Sequence, residues 1–330
     1  MSQGFRPIVS KILKTFVPLV FGVLIFWLLF RQLNFSEIMN ILKSEVDFGI
    51  IALSLPFGLF ANIIRGYRWN LLITPLGYKP KKSNLVYAVL GNYAVNLGVP
   101  RLGEIWRCTI ITRYEKIPFP KLFGTLLIDR LSDTIAVAII VIAAFFMNIT
   151  YFKSFFVAHP EYLETVQSIT TSFWTYAAIF LLLVLIWVAF RFFKHTTIIK
   201  KTKEMLSNIW EGTLTITRMK ERSLFLFYTF LIWLGYFLYF YICFYAFDFT
   251  KDLGWQNGLI AFGMSSLAVA IPAQVGPWHA AVIAVLVGFG ISFPNASAFA
   301  LCVHTIQQLL FTGLVGVVGI FALSITNKEK

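Results

Sequence analysis

The chain has 330 residues and a net charge of +13, with 58% hydrophobic and only 13% charged residues. Soluble domains usually carry about 25% charged residues, so a chain this apolar could not cover its own surface with polar groups, and we expect lipid to be its solvent. The cations fall in short runs between apolar segments, which indicates a membrane protein rather than a partner of nucleic acid.

Six apolar segments predict membrane-spanning helices, because a spanning helix needs about 20 mostly apolar residues. The segments are residues 16–33, 48–64, 122–147, 173–190, 224–247 and 296–323. The first of these segments follows three cations, a pattern that is also typical of a signal peptide. No small-residue cleavage site comes after it, so we predict an uncleaved helix.

Two further apolar stretches are interrupted by glycine and proline. Residues 85–111 are broken at 98–104, and residues 259–290 are broken at 272–277. Irregular backbone at membrane depth must be buried in protein or line a wet cavity. We therefore interpret each stretch as a re-entrant pair of half-helices that enters the membrane and returns to the same side.

The cations predict which loops share a side. With six crossing segments and two re-entrant ones, 23 of the 28 Lys and Arg residues lie on one side, four on the other, and Arg130 within a span. We therefore expect both termini in the cytoplasm and a multi-pass protein of the cell membrane, taken as the bacterial cytoplasmic membrane. Residues 198–214 have the pattern of a helix lying on the anionic lipids of the inner leaflet.

The chain also contains an internal repeat, in which similar patterns recur at an offset of 173 or 174 residues. Residues 117–120 and 291–294 share an Ile-x-Phe-Pro pattern, and Gly103 and Gly276 lie in the two breaks. Each half, 16–147 and 173–323, has three crossings, so the halves would be inverted, and paired interrupted segments in inverted halves indicate a transport site. The alternative is a chance match, because Phe-Pro is a common helix cap.

These patterns predict one domain over residues 1–330. Its fold class is all-α polytopic, with about six spanning helices and two re-entrant broken hairpins in two inverted repeats.

Ionisable residues at membrane depth are costly and are therefore candidates for function. Asp129 and Asp133 share one face of the third spanning helix, while Arg130 projects about 100° away. We expect Arg130 to be the partner of one of these aspartates. The three residues could handle a substrate, or they could form a buried ion pair that holds helices together.

The two breaks supply the other candidates. Arg101 sits at the first break, and Glu104 and Arg107 fall in the first turn of the returning half-helix, an arrangement typical of an anion site. The two arginines could instead be ordinary interfacial cations. His279 after the second break could contact a ligand or bridge helices.

Arg65 and Arg68, with Tyr67 and Trp69, are predicted to form an interfacial belt rather than to contact substrate. The sequence has no metal-ligand spacing, P-loop or nucleophile elbow, so we expect no metal, no cofactor and no catalytic residue. An alternative hypothesis is that Asp129 and Asp133 hold Mg²⁺ for a pyrophosphate substrate.

The order of these motifs resembles a known family. Residues 102–107, Leu-Gly-Glu-Ile-Trp-Arg, followed by residues 127–133, Leu-Ile-Asp-Arg-Leu-Ser-Asp, are similar to the GE-x-x-R and ER-x-x-D succession of the lysylphosphatidylglycerol synthase transmembrane-region family, also called flippase-like. Residues 271–279 are similar to that family's later P-x-x-x-G segment. Asp129 departs from the family's usual Glu, and His279 stands about where many members carry Glu.

The resemblance implies a domain that moves a lipid or lipid-linked molecule across the bilayer. In the best-known members such a domain moves aminoacylated phosphatidylglycerol to the outer leaflet, and a separate soluble domain performs the aminoacyl transfer. We expect no such soluble domain in these 330 residues, and therefore translocation rather than lysyl transfer.

The sequence thus predicts a protein that flips an anionic or zwitterionic phospholipid or a polyprenyl-phosphate lipid. Arg101, Arg107 and Arg130 would contact the phosphate, and Glu104, Asp129 and Asp133 would orient the arginines. Alternatives are a membrane-embedded transferase acting on lipid phosphates and a non-catalytic assembly factor. The expected partners are the lipid substrate and anionic inner-leaflet lipids, with no nucleic acid; no protein partner is indicated.

Overall fold

The computed structural model describes residues 35–99, 101–150, 219–269 and 276–328, with scattered positions between 24 and 31 and between 153 and 184. These residues form helices joined by short turns, with one isolated bridge between Val46 and Phe247. The prediction of an all-α polytopic membrane protein is confirmed. The chain divides into two compact units, Met1–Ala144 with Met219–Lys330, and Phe145–Arg218. The contacts that build the candidate site all lie in the first unit.

Ten α-helices make up the described part of the chain. They are α1 Phe35–Ser44, α2 Phe48–Ile73, α3 Lys82–Gly98, α4 Leu102–Glu115, α5 Phe119–Met147, α6 Arg222–Tyr241, α7 Trp255–Ala268, α8 Pro277–Gly288, α9 Phe293–His304 and α10 Gly313–Thr326. Short 3-10 turns extend α2 over Thr74–Leu76 and α6 over Ile242–Ala246. A π-helical stretch, Thr305–Thr312, joins α9 to α10.

Four helical segments are long and apolar enough to cross a membrane. They are Phe48–Leu76, Phe119–Met147, Arg222–Ala246 and Phe293–Thr326, and they confirm four of the six predicted spans. The predicted spans 16–33 and 173–190 lie mostly outside the described residues, and the predicted surface helix 198–214 lies wholly outside them. Helix α1 was not predicted; it packs Ile38 and Ile41 against Ala298.

Helices α3 and α4 form the first predicted hairpin. Gly103 at the start of α4 lies against Asn92 and Asn96 near the end of α3, and its N–H donates to Asn96 Oδ1 at 2.8 Å. At the other end, Asn84 near the start of α3 donates to Glu115 at the end of α4. The helices are therefore antiparallel. Any side chain at position 103 would collide with the Asn92 carbonyl oxygen, so only glycine fits there.

The open end of this hairpin meets the end of α10. Asn84 and Asn327 exchange hydrogen bonds of 3.1 and 2.9 Å between their side-chain amides. The start of α3, the end of α4 and the end of α10 therefore lie together. A re-entrant hairpin that returns to the side holding residues 324–330 requires this arrangement.

Residues 270–275 of the second break are outside the described part, and α8 begins after Gly276, whose φ of 104° suits glycine.

Helices α2 and α6 cross through residues that are equivalent in the sequence repeat. Gly235 packs on Ala61, and the Tyr236 hydroxyl donates to Asn62 Oδ1 at 2.6 Å. Equivalent residues touch each other when a two-fold axis passes through a crossing. These contacts therefore support the inverted repeat. The division of the chain into two halves, 16–147 and 173–323, stays a prediction.

Candidate functional site

Arg65 and Arg68 lie three residues apart on α2, on the face that contacts α5. They are 3% and 0% exposed, and Trp69 beside them is also fully buried. The prediction of an interfacial belt is therefore wrong for Arg65, Arg68 and Trp69. Helix α2 continues beyond the predicted span 48–64 to Ile73, which carries these side chains into the protein, where Asp129 and Asp133 face them.

Arg65, Arg68, Asp129 and Asp133 form an ion-paired quartet between α2 and α5. Arg68 Nη2 donates to Asp129 Oδ1 at 2.6 Å and to Asp133 Oδ1 at 2.7 Å. Arg65 Nη1 donates to Asp133 Oδ2 at 2.6 Å. Two cations and two anions leave the quartet with no net charge. Such pairing is what buried charges require, because an unpaired one is strongly destabilising.

Glu104 and Arg130 form a second pair that is more accessible. Arg130 Nε lies 2.8 Å from Glu104 Oε1, and this pair joins α5 to α4. The Arg130 side chain is 37% exposed and the Glu104 side chain is 34% exposed. Arg130 Nη1 lies 3.6 Å from Asp133 Oδ2. Arg130 is thus a partner of Asp133, as expected, but its loss would not leave an aspartate unpaired, because α2 supplies closer arginines.

Arg107 carries the remaining charge. Its guanidinium is fully buried and lies over the Trp69 ring, 4.2 Å from the ring centre. Trp69 is itself fixed by a 2.9 Å hydrogen bond from its Nε1 to Thr125 Oγ1. Arg107 Nη2 reaches Asp129 Oδ2 at 3.4 Å, but Nε and Nη1 find no acceptor among the described residues.

We call these residues the charged cluster: Arg65, Arg68, Glu104, Arg107, Asp129, Arg130 and Asp133. Four cations and three anions give it a formal charge of +1. The quartet is neutral and so is the pair of Glu104 and Arg130, so the surplus belongs to Arg107. Buried donors are normally satisfied, and two unsatisfied donors on a surplus cation suit an anionic acceptor.

The other two predicted site residues lie elsewhere. Arg101 stands at the turn before α4 with an exposed side chain and a left-handed backbone, φ 64°. His279 is buried near the start of α8, and its ring centre lies 4.4 Å from that of His304 and 5.4 Å from that of Trp278. The structure places His279 in a set of aromatic contacts of the second half of the chain.

The second half repeats contacts of the charged cluster with uncharged side chains. In the sequence repeat, Tyr239 is the equivalent of Arg65, and Gln307 is the equivalent of Asp133. Where the side chains of Arg65 and Asp133 pair, the Tyr239 hydroxyl donates to the main-chain carbonyl oxygen of Gln307 at 2.7 Å, and the side-chain amide of Gln307 donates to the main-chain carbonyl oxygen of Tyr239.

The same offset relates a second pair of contacts. At an offset of 174 residues, one more than separates Gly103 from Gly276, Trp278 corresponds to Glu104 and His304 to Arg130, and the ring centres of Trp278 and His304 are 5.2 Å apart. We call Tyr239, Trp278, His304 and Gln307 the neutral counterpart. Ion pairs in the first half thus correspond to hydrogen-bonded and aromatic contacts in the second.

Within the described residues, no group of three or more His, Cys, Asp or Glu side chains is arranged to hold a metal. The carboxylates of Asp129 and Asp133, considered above as magnesium ligands, accept from arginine N–H groups instead. The geometry therefore gives these aspartates the role of fixing guanidinium groups.

Long apolar helices, an antiparallel hairpin and a buried charged cluster define a polytopic α-helical membrane protein with a polar centre. More particularly, the chain belongs to the lysylphosphatidylglycerol synthase transmembrane-region family, whose profile matches residues 15–316.

Two curated proteins are similar to parts of the chain. Glycosyltransferase AglD of Haloferax volcanii is 25% identical over 134 residues, which are 40% of this chain and 21% of that protein. The UPF0104 membrane protein MJ1595 of Methanocaldococcus jannaschii is 27% identical over 128 residues, which are 38% of each. The matched segments thus span well under half of either relative. No solved structure matches the chain.

Proposed function

We propose that this protein moves a phospholipid or a polyprenyl-phosphate-linked lipid across the bilayer, and that Arg107 contacts the headgroup phosphate. The observation that carries the proposal is the buried Arg107 guanidinium, whose Nε and Nη1 find no acceptor among the described residues. A guanidinium presents its donors in a planar fork that matches two phosphate oxygens, which makes phosphate a better complement than a single carbonyl group.

The surrounding charges favour a headgroup anion over a further protein carboxylate. The Asp129 carboxylate already accepts two hydrogen bonds from Arg68, at 2.6 and 3.0 Å. Its contact to Arg107 is longer, at 3.4 Å, and therefore weaker. An arriving phosphate can therefore bind Arg107 without breaking the quartet. The cluster would then change from a formal charge of +1 to about zero or −1.

The pair of Glu104 and Arg130 provides an accessible edge to this site. Both side chains are about one-third exposed, and Glu104 lies on α4 one turn before Arg107. A phosphate can replace Glu104 as the partner of Arg130 and then move to Arg107. Arg101, exposed at the turn before α4, would meet the headgroup first.

A polar route of this kind addresses the main barrier to lipid translocation. Moving a bare ion from water into a low-dielectric interior costs about 20 kcal/mol in the Born limit. Arginines along the hairpin would lower that cost for the phosphate, while the acyl or prenyl tails stay in hydrocarbon. The sequence has no ATP-binding motif, so the movement would be passive or coupled to an ion.

Reconstitution into liposomes tests the proposal. The purified protein should accelerate the transbilayer movement of a fluorescent phospholipid or polyprenyl phosphate without ATP. Arg107→Gln should slow that movement about tenfold or more, and Arg107→Lys should also slow it because an ammonium cannot reproduce the fork. Arg113→Gln is the matched control, because Arg113 is an exposed arginine on the same helix.

Two results would count against lipid movement. The first is metal-dependent turnover of a lipid phosphate without accelerated lipid movement, which would favour a transferase, the class to which the relative glycosyltransferase AglD belongs by name. The second is full cellular function after Arg107 and the pair of Glu104 and Arg130 are replaced by apolar residues, which would favour an assembly factor. Equal monodispersity of the variants on size exclusion guards against misfolding.

A further inference from the structure

A cavity of about 310 Å³ lies where the end of α2 meets the starts of α3 and α6. We call it the tyrosine pocket. Its polar lining is Tyr67, Asn70, Thr74, Lys82, Glu221 and Tyr228. Ligand pockets commonly occupy about 300 to 1,000 Å³, so the cavity has room for a small polar group.

The lining carries one charge of each sign and two aromatic rings. Lys82 Nζ lies 5.8 Å from the centre of the Tyr67 ring. Glu221 precedes α6 and is exposed. In the part of the chain that the structure describes, no ion pair joins Lys82 to Glu221. Both charges therefore face the cavity without neutralising each other, and a ligand with separated charges of both signs would complement them.

We infer that the tyrosine pocket binds the headgroup of a zwitterionic phospholipid. Lys82, which lies over the Tyr67 ring, contacts the phosphate, while Glu221 and the ring of Tyr228 contact the ammonium. Aromatic rings attract ammonium groups through their quadrupole, and a carboxylate adds direct charge complementarity. A purely anionic headgroup would satisfy Lys82 but would place a negative charge beside Glu221.

The position of the pocket agrees with a lipid ligand. Its residues lie at helix ends and in adjoining turns, and tyrosine is enriched where a membrane helix meets the headgroup layer. Tyr67 and Tyr228 directly precede Arg68 and Thr229, which are joined by a 3.2 Å hydrogen bond. The pocket therefore adjoins the charged cluster but does not include Arg107.

Calorimetric titration of the purified protein in a maltoside detergent tests the inference with three soluble probes: glycerophosphocholine, glycerophosphoethanolamine and glycerol 3-phosphate. Both zwitterions should bind more tightly than glycerol 3-phosphate. Glu221→Gln should weaken the zwitterions about tenfold, equivalent to about 1.4 kcal/mol, and should strengthen glycerol 3-phosphate, because it removes a like charge from beside the phosphate. Lys82→Gln should weaken all three probes.

Lys81→Gln and Lys220→Gln are the matched controls, because each removes an exposed charge next in sequence to a lining residue without touching the pocket. Both should bind like the unmodified protein. Tyr228→Leu should weaken the zwitterions selectively. Absence of saturable zwitterion binding by monodisperse protein, or unchanged discrimination in Glu221→Gln, would overturn the inference.

Nanodiscs distinguish a lipid from a free headgroup compound. In phosphatidylcholine nanodiscs the lipid should occupy the pocket and abolish binding of added glycerophosphocholine, whereas phosphatidylglycerol nanodiscs should leave that binding intact. Equal binding in both would show that lipid does not occupy the pocket and would refute the inference. Arg107→Gln should bind the probes normally, so this result is independent of the transport proposal.

Discussion

The charged cluster and the neutral counterpart occupy equivalent places in the two halves but use opposite kinds of side chain. Arg65 and Asp133 form an ion pair at 2.6 Å, whereas Tyr239 and Gln307 exchange neutral hydrogen bonds. The second half shows that this helix arrangement can be held without charge. Buried ion pairs often contribute less to stability than well-packed neutral groups, so this difference between the halves supports the anion handling proposed above.

The largest difference between the halves should appear when the same substitution is made at equivalent positions. Asp133→Leu leaves Arg65 and Arg68 without one of their carboxylates and should lower the free energy of unfolding by about 3–5 kcal/mol. Gln307→Leu leaves only neutral groups unsatisfied and should cost about 1–3 kcal/mol. Thermal unfolding midpoints in one detergent measure both, and equal shifts would mean that the charges of the first half are not energetically distinct.

In a second pair of variants, the substitution in the second half should destabilise the protein more than the one in the first half. Arg130→Ala removes a partly exposed ion pair and should cost about 1 kcal/mol or less, while lipid movement falls. His304→Ala removes a buried ring packed against Trp278 and His279 and should cost about 2 kcal/mol or more through the cavity it leaves. The comparison fails if Arg130→Ala destabilises the protein more than His304→Ala does.

The first hairpin can be broken without touching any charge. Gly103→Ala forces a methyl group against the Asn92 carbonyl oxygen and should cost about 1–3 kcal/mol, with loss of lipid movement because Glu104 and Arg107 are displaced. Gly98→Ala on the same hairpin meets no atom within 4 Å and should be nearly neutral. Similar behaviour of the two variants would contradict the close packing of α3 on α4.

The smallest change tests whether the second break is re-entrant, as the inverted halves require. In a cysteine-free background, Lys251→Cys should react with an impermeant thiol reagent added to intact cells, whereas Lys328→Cys should react only after permeabilisation. Both side chains are exposed, so neither substitution should alter stability. The predicted topology puts them on opposite sides, and labelling of both from the outside would refute it.

The long helices and the break before α4 could be predicted because hydrophobic length and Gly-Pro interruptions are local signals. The partners of Asp129 and Asp133 could not be predicted, because α2 runs past its most apolar segment and the arginines follow the end of the predicted span. Three cations that the sequence assigns to one side of the membrane, Arg65, Arg68 and Arg107, are buried in the protein. The remaining 20 on that side still outnumber the four opposite.

The order of the cluster along the chain also has a consequence for biosynthesis. All seven ionised residues of the charged cluster lie between Arg65 and Asp133, and their contacts to α6 are uncharged: the Thr229 hydrogen bond to Arg68 and the rings of Phe225 and Tyr236 near Arg68 and Arg65. Translation delivers α2, α4 and α5 to the membrane before α6 exists. The nascent first half can therefore neutralise its aspartates and three of its four arginines as it inserts, without waiting for the rest of the polypeptide.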